Sequence, residues 1–209
     1  MMAWIVESAR PFARGVDTID ATDLARLAPL VRAEGFEFAY VYLGGATAAQ
    51  CQQIASVMPI IPVTFGNRTD PSEAIGHMTN MRLPATDPTT GKPATVLLDA
   101  EAQSQPFSVL GPIWNAWAAG IQKAKMLAAI YEGEENTPVT GEQYGGLLFT
   151  GYWKSASMVP CPTFKGQPIG WWCTQLLPAN HKLQCGLVVD VDAIGQDYKG
   201  RVPTWMRWV

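Results

Sequence analysis

Two carboxylates stand one residue apart in the stretch VLLDAEAQ, Val96 to Gln103: Asp99 and Glu101. They close an apolar run that reads as a buried strand. Charged groups in such a place cost free energy unless they are paired, solvated or used. Residues i and i+2 of a strand point the same way. At a rise of ~3.3 Å per residue their α-carbons sit roughly 6 to 7 Å apart. Two acids so placed can flank one scissile bond, one as a proton donor with a raised pKa while the other stays ionised. Two more acid pairs fall on apolar runs: Asp17 and Asp20 in GVDTID, and Asp190 and Asp192 in VVDVDAI. Any one pair alone is more often a helix cap or a solvated strand end. Three pairs converging on one rim would make a site.

Composition bounds what else the chain can be. It has 209 residues, 48% hydrophobic and 16% charged, which suits one globular domain spanning 1–209 with a sizeable core. The net charge is −3 with no basic run, so phosphate contacts, and with them nucleic-acid binding, have little support. No apolar stretch approaches the ~20 residues that span a bilayer, so no membrane insertion is expected. The start, MMAWIVESARPF, lacks the basic head and apolar body of a signal peptide. Synthesis in the cytoplasm without a signal peptide follows, and action outside would need another route of release. The four cysteines, Cys51, Cys161, Cys173 and Cys185, form no C-x-x-C pair, and only His77 and His181 could add imidazoles. A zinc site is not expected, and buried free thiols are. Carboxylates around a pocket could hold a divalent cation, but no D-x-D-x-D-type loop is present. Neither G-x-G-x-x-G nor G-x-x-x-x-G-K-[ST] occurs. The expectation is no metal and no cofactor.

The elements that must position the acids alternate. GVDTID, FAYVYLGG, PIIPVTFG, ATVLLDAE, MLAAIYE, LLFTGYWK, IGWWCTQLL and GLVVDVDAI read as eight strands. Helices are predicted over 20–35, 47–57, 69–83 with Asp70 as N-cap, and 107–124, where Gly111 and Pro112 are expected to delay the start. LPATDPTTGKP reads as a surface loop. Strands alternating with helices argue for a parallel sheet covered on both faces. Eight strands suggest an α/β fold of the TIM-like β/α barrel type, with fewer than eight helices because the last third is poor in helix. In a closed barrel the first and last strands are neighbours, and all carboxyl ends open on one face. Asp17, Asp99, Glu101 and Asp190 would then meet there.

Aromatics concentrate in the second half of the chain. Trp114 and Trp117 fall on a predicted helix and are expected to be packing residues. Tyr131, Tyr152, Trp171 and Trp172 are candidates to stack on sugar rings. Trp171 and Trp172 point to opposite faces if on a strand, so at most one lines the site.

In this order the motifs resemble the family 25 glycoside hydrolases, the lysozyme-type N-acetylmuramidases, and the related glycoside-hydrolase-like domains of bacteria and phages. GVDTID is similar to the family's opening Gly-hydrophobic-Asp strand, VLLDAEA to its central D-x-E, LAAIYE to its strand ending in Ile-Tyr, LLFTGYWKSA to its W-x-A-x-Y strand, WWCTQ to its W-Q strand and VVDVDAI to its closing D-x-[ND]. The likeness covers nearly the whole chain. GVDTID lacks the D-x-S-x-x-Q continuation of the muramidases and is closer to the related domains, and FTGYW stands where W-x-A-x-Y is usual. The resemblance implies a barrel that hydrolyses the β-1,4 bond between N-acetylmuramic acid and N-acetylglucosamine in peptidoglycan. It implies Glu101 as general acid and Asp99 as the group that orients the substrate's acetamido arm or stabilises the oxocarbenium. It implies Asp17 and Asp190 as the remaining acidic floor. A monomeric endolysin or an injected or tail-associated phage enzyme fits that picture. The alternatives are an inactive glycan-binding or structural barrel, and a glycosidase for another polysaccharide.

Overall fold

The structure is a computed structural model that describes residues 2–65, 69–100, 107–133, 150–152, 163–164, 167–168, 173–195 and 202–209. Its strands are β1 (Trp4–Ser8), β2 (Arg14–Thr18), β3 (Phe38–Tyr42), β4 (Ile60–Phe65), β5 (Thr95–Asp99), β6 (Leu127–Gly133), β7 (Thr150–Tyr152), β8 (Thr163–Phe164), β9 (Gln167–Pro168), β10 (Cys173–Lys182), β11 (Val188–Ile194) and β12 (Thr204–Trp208). Its helices are α1 (Ala21–Ala33), α2 (Ala48–Ala55), α3 (Pro71–Asn80) and α4 (Phe107–Lys123).

Local chemistry starts the first three helices. Asp20 caps α1 by accepting the Asp23 N–H at 2.9 Å, Thr47 and Gln50 form a reciprocal capping box on α2, and Asp70 caps α3 ahead of Pro71. In α1 the buried Leu24, Leu27, Ala28 and Val31 recur at helical spacing. The expected delay of α4 does not occur: the helix begins at Phe107 and Pro112 lies inside it. Trp114 and Trp117 are fully buried and anchor the helix on the sheet by area removed from water, which outweighs the one backbone bond that a proline forfeits.

Ten strands form one mixed sheet in the order β10-β11-β2-β3-β4-β5-β6-β7, with β12 on β4 and β1 on β12. From β2 to β7 every neighbour is parallel. Beyond β2 the sheet turns antiparallel. The closed eight-stranded TIM-like barrel expected from the sequence is therefore not what forms. The sheet is open, with β10 and β7 as its edges and four helices among the described residues. These edges come within 8 Å at their α-carbons but share no ladder among the described residues. The mixed direction of the sheet comes from the way the chain returns. β10 and β11 are joined by a hairpin turn over 183–187, where Gly186 takes φ +90°, and a hairpin needs no crossover helix. Glu34, the C-cap of α1, accepts the Gln184 and Cys185 N–H groups at 3.0 and 3.1 Å and braces that turn.

Each face of the sheet is buried. One face packs Val16, Ala39, Val41, Ile60, Val96 and Leu98 against the helices. The other packs Phe38, Tyr40, Tyr42, Ile61, Val63, Leu97 and Trp205. Gly15 lies opposite Phe38 on this second face, and a β-carbon there would meet the Phe38 ring at 2.4 Å. The terminal pair β1 and β12, not read as strands from the sequence, places Trp4 and Val6 in the core. Cys51 is buried and Cys185 half-buried, both as free thiols, and burial pushes the Cys51 thiol up to about 11.

The surface loop after α3 is pinned by one buried acid. Asp87 accepts the Val6 N–H at 2.8 Å, the Thr89 N–H at 2.9 Å and the Thr90 N–H at 2.7 Å. The bonds from Val6 and then Thr90 are the main reasons that its carboxyl falls from an ordinary 3.8 to about 2. The folded value lies below the unfolded one, so this contribution to stability is complete above about pH 4 and lost as pH falls toward 2. Asp87→Asn has one acceptor oxygen where two are used, so its melting temperature at neutral pH should drop by several degrees. The stability it retains should lose this acid-dependent step, as read by thermal denaturation across pH 2 to 7.

Candidate active site

Four neighbouring strands, β2 to β5, set three polar groups in a diagonal. Asp17 on β2 is in register with Tyr40 of β3, and Tyr40 with Ile61 of β4. Tyr42 is in register with Val63, and Asp99 of β5 with Phe65. Residues on one face step by two along a strand. Tyr42 thus stands one step above Asp17 and one step below Asp99. Its phenol oxygen lies 3.3 Å from Asp17 Oδ2 and 2.9 Å from Asp99 Oδ2. The ring is buried and stacks on Phe65, with centroids 4.8 Å apart at 30°.

Asp190 completes the group by a route other than the one expected. It does not sit at the carboxyl end of its strand. Because β11 runs antiparallel to β2, its amino-terminal half lies beside the carboxyl-terminal half of β2, and Asp190 pairs with Asp17. Asp190 Oδ1 accepts the backbone N–H of Asn180, whose φ of +55° places it in a left-handed turn. Between Leu176 and His181 the β10–β11 register shifts, and Asn180 falls inside that shift.

Asp17, Asp99, Asp190, Tyr42 and Asn180 line a cavity of about 360 Å³. Ile19 and Val188 form part of its wall, 71% and 47% exposed. Among the described lining residues there is no Lys, Arg or His. Among the described residues no three acids, imidazoles or thiols are grouped as a metal cage.

Of the other sequence candidates, Asp20 and Asp192 are placed with their side chains. Asp20 is the cap of α1, so for it the structural role stands. Asp192 is fully buried on the same face as Asp190, opposite Gly15 and below the cavity. Tyr131 is the β6 register partner of Asp99, and Tyr152 lies on β7 opposite Gly133; for both, the backbone alone is described. Glu101, Trp171 and Trp172 lie outside the described residues. Sequence reading missed Tyr42 and Asn180. For Tyr42 a signal existed: Tyr40 and Tyr42 alternate on the strand that follows the Asp17 strand, so both face the way the acids face. For Asn180 there was none, because its role is a backbone N–H in a bulge.

No family model matches the sequence, and no curated protein matches it. Solved structures match the fold. An uncharacterised protein of B. stearothermophilus superposes with a TM-score of 0.61 at 15% identity, over 89% of this chain and 96% of its own. The catalytic domain of the endolysin ply40 from bacteriophage P40 of Listeria monocytogenes gives 0.58 at 12% identity, over 88% of this chain and 94% of that one. The spore cortex lytic enzyme SleM of Clostridium perfringens gives 0.58 at 14% identity, over 93% of this chain and 71% of that one. At such identities the likeness is one of fold.

Like charges directly opposite across an antiparallel pair are destabilising, and Asp17 with Asp190 is such a pair. Asp190→Asn keeps an oxygen for the Asn180 N–H while removing the charge. It should raise stability by about 0.5 kcal/mol at low ionic strength. The gain, read as the urea midpoint, should shrink in about 1 M salt.

Proposed function

We propose that the chain is a cell-wall glycosidase of the family 25 muramidase type, hydrolysing the β-1,4 bond between N-acetylmuramic acid and N-acetylglucosamine in peptidoglycan. The observation that carries the reading is the cavity in which Asp17 and Asp99 share the Tyr42 hydroxyl while Asp190 faces Asp17. A concave, carboxylate-lined site at the end of parallel strands suits acid–base cleavage of a glycosidic bond. The fold shared with an endolysin catalytic domain and a spore cortex lytic enzyme supports the same class.

In this reading Glu101, two residues beyond Asp99 in the chain, gives its proton to the glycosidic oxygen as the bond to the anomeric carbon breaks. Asp99 stays ionised and orients the acetamido group of the cleaved sugar, whose carbonyl oxygen attacks the anomeric carbon. Water then opens the cyclic intermediate and returns a proton to the carboxylate of Glu101. Asp17 and Asp190 keep the floor negative, which favours the developing positive charge of the oxocarbenium. Tyr131, Tyr152 and one of Trp171 or Trp172 are assigned to the groove walls. The enzyme works as a monomer, without a metal, on wall reached after release or injection.

Digestion of purified sacculi, followed by muropeptide mass spectrometry, tests the proposal. Products ending in reducing N-acetylmuramic acid are expected. Glu101→Gln should cost roughly 10²- to 10⁴-fold in turnover. Asp99→Asn should lower kcat with KM little changed, because the lost contact is made mainly in the transition state. Products ending in reducing N-acetylglucosamine would move the reading to the opposite bond. A protein that sediments with sacculi and releases nothing would make it a binding module. Activity on another polysaccharide alone would change the substrate class.

A further inference from the structure

The strands β2 and β11 show one common face at every second residue. Along it the ladder sets Asp192 opposite Gly15, and then Asp190 opposite Asp17. Two residues further on, the same alternation reaches Ile19, just past the end of β2, and Val188, the first residue of β11. Both line the cavity with the acid pair. Burial falls along this face: Asp192 is buried, Asp17 and Asp190 are half-buried, and Ile19 and Val188 are exposed. An aliphatic pair thus flanks the mouth above an acid pair. Val189, also in the lining, is buried in the core under the helices. A lone exposed aliphatic side chain needs no explanation. Two that flank the entrance of a polar cavity leave apolar area in water that an occupant would cover.

We propose that Ile19 and Val188 are specificity residues that contact a methyl-bearing substituent of the glycan, an N-acetyl or a lactyl group. The inference rests on the glycosidase reading for its substrate class. The chemistry of the pair sets what can cover it. An aliphatic side chain offers no hydrogen bond, so a hydroxyl or an amine pressed against it gives up water without a partner. A methyl group loses nothing of that kind and gains by leaving water. Most of a sugar's surface substituents are hydroxyls, which the pair disfavours. The methyls of the wall glycan are those of its acetamido and lactyl groups, which the pair favours. Contact with one methyl at a half-open mouth is worth about three- to tenfold in affinity.

The test measures binding to the whole protein, with Glu101→Gln as the background that keeps the glycan intact. Four soluble probes separate the two methyls. Glycan strands freed of stem peptides carry both, and the same strands after de-N-acetylation carry the lactyl group alone. N-acetylchitooligosaccharides carry the acetyl group alone, and fully deacetylated chitooligosaccharides carry neither. Ile19→Ser with Val188→Ser should weaken binding of the intact strands about three- to tenfold, and Ile19→Leu should leave it near the starting value. An acetyl contact predicts that the loss vanishes on de-N-acetylated strands and remains on N-acetylchitooligosaccharides. A lactyl contact predicts the reverse. Serine variants that bind all four probes as their parent does would overturn the proposal, as would an equal loss on the probe with neither methyl. If the double variant fails to fold, Val188→Thr, which exchanges one methyl for a hydroxyl at nearly the same volume, carries the same comparison. Failure to bind any of the four probes would overturn the proposal too. Strands bound by the parent protein but never cleaved by the native one would sink the glycosidase reading, and the contact would stand or fall on the same affinity ratios.

Discussion

The parallel register from β2 through β5 decides how deep each polar group of the cavity lies. A strand shows one face at every second residue, so neighbouring strands can offer side chains only at discrete levels. Asp17 occupies one level, Tyr42 the next and Asp99 the one above. A tyrosine at the middle level reaches both acids with the same oxygen. A slip of one residue in β3 would turn Tyr42 onto the helix-covered face and bring Val41 into the cavity. The apolar residues on the two faces hold against such a slip, because it would exchange the Phe38, Tyr40 and Tyr42 layer with Ala39 and Val41.

The second constraint is the reversal of β11. An all-parallel sheet would carry the last strand's carboxyl end to the site. The hairpin instead brings the strand back against β2, so Asp190 faces Asp17 at nearly the closest spacing a sheet allows. The arrangement opposes like charges and needs support. Asn180 gives Asp190 a backbone donor, and Glu34 ties the hairpin turn to the end of α1. Far from the cavity, Asp87 fastens its loop to β1, and the Thr95 and Thr204 hydroxyls meet at 2.9 Å beside β12. At the cavity, by contrast, two acids are set against each other across β2 and β11.

Much of the helical layer could be read from local sequence. Asp20, Thr47 and Asp70 start their helices through contacts two or three residues away, and Leu24, Leu27 and Val31 declare the buried side of α1 by spacing alone. The strand cores GVDT, FAYVY, IIPVTF and TVLLD were equally plain, since residues buried on both faces form unbroken apolar runs. Pro112 misled because a proline's local cost was weighed without the burial of Trp114 and Trp117 that offsets it.

The amino-acid sequence by itself determined the four helices, the central strands and which of them carry acids, because caps, periodicity and apolar runs depend on neighbours a few residues apart. Only the tertiary structure decided what those strands meet and in which direction. The pairing of Trp4–Ser8 with Thr204–Trp208 joins residues about two hundred positions apart and leaves no local trace. The sheet is mixed because one hairpin reverses β11, and a strand's composition does not reveal whether it runs parallel or antiparallel. For the same reason Asp190 was legible as an acid on the last strand but not as the cross-strand partner of Asp17. Tyr42 was legible as an aromatic on a buried strand, but not as the hydroxyl between two carboxylates. That role exists only once four strands have settled in register.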